Sequence, residues 1–140
     1  MKRKYLFLVL VIILVMVSSS NSVASDRRFK VLFVIPPTVD ADLASEARSY
    51  ITGELRELGD VEIVGKDPTM DCFLISVFPA PIMLNKAVIG GIVLSYVIEK
   101  NEYIEHNVVF GSRNELKLLC QRVVAYFDTH WLQRERKQGR

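Results

Sequence analysis

The chain has 140 residues, half of them hydrophobic and 24% charged, with a formal net charge of +2. That is one domain's worth of chain, and it is too rich in apolar residues for a disordered polypeptide. The small positive balance sits at the two ends, which argues against a nucleic-acid binder, since that function needs a basic patch on the fold itself.

The first 25 residues read as a secretory signal peptide. Lys2-Arg3-Lys4 is a positive start, Tyr5 to Val17 is an unbroken apolar run, and small residues around Ala24 and Ser25 suit a cleavage site. As a helix the run would span only about 20 Å, short of the ~30 Å hydrocarbon core. The alternative is an uncleaved N-terminal anchor. The first cysteine is Cys72, so no lipid-bearing cysteine follows the run. Without Lys2, Arg3 and Lys4 the 18 bases fall to 15, against 16 acids. The expected organisation is a signal peptide over 1–25, one α/β domain over 26–133 and a basic, flexible tail over 134–140. The expected location is the periplasm or the cell exterior.

Along the mature chain, Phe29 to Ile35 is a predicted strand, apolar on both faces and stopped by Pro36-Pro37. Leu43, Ala47, Ile51, Leu55 and Leu58 recur at three- and four-residue spacing and predict a helix from Ala41 to Leu58. Asp40 or Asp42 can cap its start, and Gly59 can take the left-handed position after its end. Val61 to Val64 is a short strand, Gly65 to Pro68 a turn, and Cys72 to Phe78 a third strand ended by Pro79-Ala80-Pro81. Ala87 to Glu99 is a long strand whose Gly90-Gly91 suggests a bulge or a close backbone approach. Lys100-Asn101-Glu102 turns it back into Tyr103 to Phe110. Ser112 and Glu115 form a capping box for a last helix, Arg113 to Trp131, with an apolar stripe through Leu116, Leu119, Cys120, Val123, Phe127 and Trp131. The fold class is α/β (α+β), in the order β-α-β-β-β-β-α: a mixed five-stranded sheet with two helices packed on it.

No motif in the chain carries chemistry. Gly90-Gly91 lacks the remainder of any phosphate-binding pattern. His106 and His130 have no cysteine or histidine at metal-ligand spacing, and a triad built on His106 has no sequence support, because triads are recognised by geometry. No cofactor, metal or catalytic residue is expected. Cys72 and Cys120 can pair in an oxidising compartment. However, Cys72 alternates with Phe73, Ile75 and Val77, the residues that should meet the helices, so the expectation is two free thiols. Phe78 to Leu84 is an apolar connection, either folded over the sheet edge or offered to a partner.

The pieces Lys30-Val31-Leu32-Phe33-Val34, Leu55-Arg56-Glu57-Leu58-Gly59, Val61-Glu62-Ile63-Val64 and Asp71 to Ser76, with the hairpin Ile92 to Phe110 and the closing helix, stand in an order that resembles the N-terminal domain of the TolB family and the related CsgG-like envelope domains. The resemblance implies an exported, non-catalytic interaction module of the cell envelope. It also implies both helices on one side of the sheet. Two helices cover about four strands, so the other face would keep an apolar patch for a second copy or an envelope protein; one helix on each side would leave none. Leu74, Phe78, Ile82, Met83 and Leu84 are the candidate interaction residues. The alternatives are a small-ligand pocket at the strand ends near Pro36-Pro37 and Pro79 to Pro81, or a small enzyme.

Overall fold

The computed structural model describes residues 28–139 apart from 39, 66–70 and 86. The expected signal peptide and most of the turn after Gly65 lie outside these residues. The strands are β1 (Phe29–Val34), β2 (Val61–Val64), β3 (Phe73–Leu84), β4 (Ala87–Lys100) and β5 (Tyr103–Ser112). They form one mixed sheet in the order β2-β1-β3-β4-β5. β1 is parallel to both β2 and β3, whereas β3, β4 and β5 run antiparallel. Helix α1 (Ala41–Glu57) links β1 to β2. After β5 come a 3-10 turn (Arg113–Glu115), helix α2 (Leu116–Phe127), a π-helical turn (Asp128–Leu132) and helix α3 (Gln133–Gln138).

The ends of α1 form as their residues dictate. Asp40 accepts a hydrogen bond from the Leu43 amide at 2.8 Å, satisfying one of the free amides of the first turn. Gly59, with φ of +75°, takes the left-handed position after the helix. Arg113 bonds Asp40 at 3.2 Å and Glu46 at 3.0 Å, which fastens the start of α1 to the turn leading into α2.

Leu43, Ala47, Ile51 and Leu55 from α1 and Leu116, Leu119, Cys120, Val123 and Phe127 from α2 are buried against one face of the sheet. That face is made by Val31 and Phe33 of β1, Phe73, Ile75 and Val77 of β3, and Ile92, Leu94, Tyr96 and Ile98 of β4. Side chains alternate along a strand, so Leu32, Val34, Leu74, Phe78, Val93 and Val97 point the other way. All of the buried hydrophobic residues therefore belong to the helix-covered layer.

Two expectations are corrected. Pro79-Ala80-Pro81 does not end the third strand, and Phe78 to Leu84 is not a connecting loop: β3 continues through all of it to Leu84, paired with β4. The reason is topological. β1 pairs with β3 only as far as Ser76, so beyond that point β3 is an edge strand, where a missing amide hydrogen breaks no ladder. The ladder shifts register between Pro81 and Met83, opposite Gly91, where an added Cβ would come within 2.9 Å of Ile82 Cδ1. The Gly90-Gly91 pair is thus a close approach, and Gly90 holds φ at +77°.

The second correction concerns the C-terminus. Residues expected to form a flexible tail continue the last helix to Gln138. Arg136 pins them, bonding Asp60 and Asp128.

Candidate functional site: the uncovered sheet face

With both helices on one side, the opposite face of the sheet carries no layer among the described residues. Its rows follow from the register. Leu32, Leu74, Glu99 and Ile104 lie side by side across β1, β3, β4 and β5, followed by Val34, Ser76, Val97 and His106. Phe78, Ser95 and Val108 form the next row, and Ala80, Val93 and Phe110 the one after. The strands thus present a mainly aliphatic and aromatic surface with a short polar band at its middle. Phe78 is 41% exposed, Ile104 67% and Phe110 73%.

Beyond Gly91, where β5 ends, β3 and β4 run on alone as a two-stranded arm. Met83, Leu84, Val88 and Ile89 are exposed on it. An isolated hairpin is marginal in water, so apolar side chains on such an arm gain much from cover. Among the described residues, only Tyr103 and Leu118 of the other large exposed hydrophobic side chains lie off the open face and the arm.

The candidate interaction residues do not form one cluster. Leu74 is half-buried in the row between Leu32 and Glu99. Phe78 sits further along the same face. Ile82 is half-buried against Gly91, while Met83 and Leu84 stand at the arm's end. Ten residues of strand, about 33 Å, separate Leu74 from Leu84. The pocket expected near Pro36-Pro37 and Pro79 to Pro81 is present only at its first part. A shallow cavity of about 400 Å³ is lined by Ile35, Pro36, Pro37, Thr38, Ala44 and Arg48; Pro79 is buried elsewhere, in the sheet.

Polar chemistry gathers in two places. On the open face Ser95 Oγ lies 2.6 Å from His106 Nε2. Among the described residues no hydrogen bond joins His106 to a carboxylate, and no group of three His, Cys, Asp or Glu could hold a metal ion. On the helix side, Glu105 accepts hydrogen bonds from the Tyr126 hydroxyl and from Trp131 Nε1, the latter at 2.9 Å. The Tyr126 bond, with help from Trp131, holds the Glu105 carboxyl below its ordinary value, and the same bond raises the Tyr126 phenol. His130 stacks on Tyr126 at 4.0 Å. Next to this network lies an open cleft of about 650 Å³ whose walls include Lys100, Tyr103, Glu105, His130, Trp131 and Arg134. The π-helical turn turns His130 and Trp131 into it; such turns often occur at functional sites. Neither the Ser95–His106 contact nor this cleft was expected. The first needs the hairpin register and the second the course of the last helix.

Both cysteines are free, as expected. Cys120 is buried between α2 and α1, its thiol 4.0 Å from the Ala47 carbonyl. Cys72 precedes β3 in the phase of Leu74, on the far side of the sheet.

No family model matches this chain, and no curated protein does. Among solved structures, a dodecamer of a PelC point variant from Paraburkholderia phytofirmans is similar at 17% identity over 69% of this chain and 80% of that one, with a TM-score of 0.43. A crystal structure described only as an uncharacterized protein is similar at 10% identity over 79% of this chain and 92% of that one, with a TM-score of 0.35.

Proposed function

We propose that this chain is an exported, non-catalytic accessory module of the cell envelope that works by self-association, using the uncovered sheet as its contact surface. One observation carries the reading: both helices lie on one face, and the opposite face and its arm keep Phe78, Met83, Leu84, Val88, Ile89, Ile104, Val108 and Phe110 exposed. An exposed, largely apolar surface of this kind usually marks an interface. Export rests on the basic start, the short apolar run and the small residues at Ala24-Ser25, together with the resemblance to TolB N-terminal and CsgG-like envelope domains. The Ser95–His106 contact lies on an open sheet surface, so it supports a structural hydrogen bond better than a catalytic pair, which works in a concave, water-excluding site.

The test pairs light scattering with Phe110→Asp. The mature chain is expected to associate, and the variant to be monomeric with unchanged circular dichroism. A wild type that is one copy at every concentration contradicts the reading. A variant that unfolds shows that the face is ordinary core.

A second reading has its own observation. The cleft beside Glu105 gathers Lys100, Arg134, His130 and Trp131, a mixed polar and aromatic lining suited to a small anionic ligand. Trp131 is the chain's one tryptophan, so its fluorescence reports on that cleft directly. A saturable change on adding small anions favours this reading, and an unchanged spectrum counts against it.

A further inference from the structure

The two edges of the sheet differ. β2 is four residues long and carries Glu62, a short and charged edge. β5 is ten residues long, Tyr-Ile-Glu-His-Asn-Val-Val-Phe-Gly-Ser, and pairs with β4 without a break in register. It holds no proline and no lysine, and it has no bulge. Its one carboxylate, Glu105, is turned to the helix side and bonded by Tyr126 and Trp131. The devices that normally stop an edge strand from pairing with another chain are therefore missing from β5.

The turn between β4 and β5 is two residues long, so Lys100 and Tyr103 face each other as a hydrogen-bonded pair. Hydrogen-bonding direction alternates along a strand. The amides and carbonyls of Ile104, His106, Val108 and Phe110 are consequently aimed away from β4, at the free edge. Their side chains point to the open face, where Ile104 and Phe110 are more exposed than Val108.

We infer that β5 pairs antiparallel with β5 of a second copy about a two-fold axis at Asn107, joining the two sheets into one of ten strands. This rests on the proposed self-association and places its contact at the β5 border of the open face, where Ile104 and Phe110 of the two copies meet. A two-fold axis normal to the sheet keeps each residue on its own face, so residues of like parity must pair. Centred on Asn107, the register sets Ile104 against the second copy's Phe110 and Val108 against its His106. Every one of these residues has its polar backbone groups aimed at the partner. Centring on His106 instead would set Phe110 against Glu102, and centring on Val108 would set Ile104 against Ser112. The Asn107 register matches the two most exposed apolar side chains of the open face of β5 to each other, twice.

The helix layer accommodates this pairing. On the helix layer, Gln121 bonds Glu54 at 2.8 Å on the α1 flank of α2, whereas Tyr126 marks the β5 flank. Strands about 4.8 Å apart bring the α2 helices of the two copies to roughly 10 Å or a little more, close to packing distance. Arg122, on this flank too, lies within electrostatic reach of Glu115.

The experiment is disulfide trapping in the full mature chain carrying Cys72→Ser, with Cys120 left buried. Asn107→Cys places two cysteines across the axis at a separation a disulfide can bridge, and a mild thiol oxidant should convert it to a covalent dimer. Ile104→Cys sits six residues, about 20 Å, from its counterpart and should stay monomeric on a denaturing gel. Val108→Lys puts a charge on the edge without touching the core and should weaken association by about tenfold or more. Faster trapping at Ile104→Cys than at Asn107→Cys overturns the register. Light-scattering dimers that Val108→Lys leaves intact overturn the edge geometry while self-association stands. A wild type that is one copy throughout overturns both.

Discussion

Arg136 closes on Asp60 with two parallel bonds, Nε to Oδ2 at 2.7 Å and Nη2 to Oδ1 at 2.8 Å, and its remaining nitrogen Nη1 reaches Asp128 Oδ1 at 2.7 Å. The guanidinium thus ties α3 to the segment that enters β2 and to the π-helical turn, and the paired carboxylates raise its pKa. Arg136 and Asp60 each remain about one-third exposed, so solvent screens the attraction. Arg136→Met should lower stability by about 1 kcal/mol, read as a shift in the urea midpoint. Faster amide exchange should be confined to 133–138. Unchanged exchange there would show that α3 is held by something else.

Glu105 makes stability depend on pH. Its folded pKa is lowered from 4.5, chiefly by the Tyr126 hydroxyl and further by Trp131. An acid with a depressed folded value stabilises the fold above its unfolded value and loses that contribution as pH falls through the folded one. Wild type should therefore weaken progressively below about pH 4.5. Glu105→Gln should be less stable at neutral pH and show a flatter acid limb. Parallel acid limbs in the two proteins would remove Glu105 from the account.

Burial raises the Cys120 thiol to about 12, and the side chain is fully covered. A thiol that is both neutral and enclosed does not react. Cys120 should resist iodoacetamide in the native oxidised protein and react fully in urea. Reductant should leave the melting temperature unchanged, because a crosslink over this loop would be worth about 4 kcal/mol and its loss would be plain.

Neighbouring residues on β3 separate core from surface. Ile75 is 1% exposed among the helices, and Ile75→Ala should cost about 2–5 kcal/mol. Leu74 points to the open face, and Leu74→Ala should cost under about 1 kcal/mol in the monomer. Equal losses by urea denaturation would mean that the second face is covered within a single chain.

Residues close in sequence made much of the fold legible. The spacing of Leu43, Ala47, Ile51 and Leu55 defines α1, and Ser112 with Glu115 marks the start of the last helix. Both bonds of Glu115 to Ser112, through the amide and through the hydroxyl, are 2.9 Å long. Double-sided apolar strands raised the question of an uncovered face, but periodicity cannot say on which side a helix packs. The misread stretch, Phe78 to Leu84, turns on a distant fact, that β1 stops opposite Ser76 and leaves β3 an edge where proline is tolerated. The C-terminal end was misread for the same kind of reason: Arg136 finds Asp60 only once the sheet and α2 have formed. The free edge of β5 likewise exists only through strand order, which places it last.

The most direct measurement of the central claim is sedimentation equilibrium of the mature chain across the micromolar range, alongside Phe110→Asp. The account predicts a mass that rises with concentration to two copies for wild type and stays at one for the variant, with both equally folded. One copy at every concentration for wild type, or association that Phe110→Asp leaves intact, would contradict it.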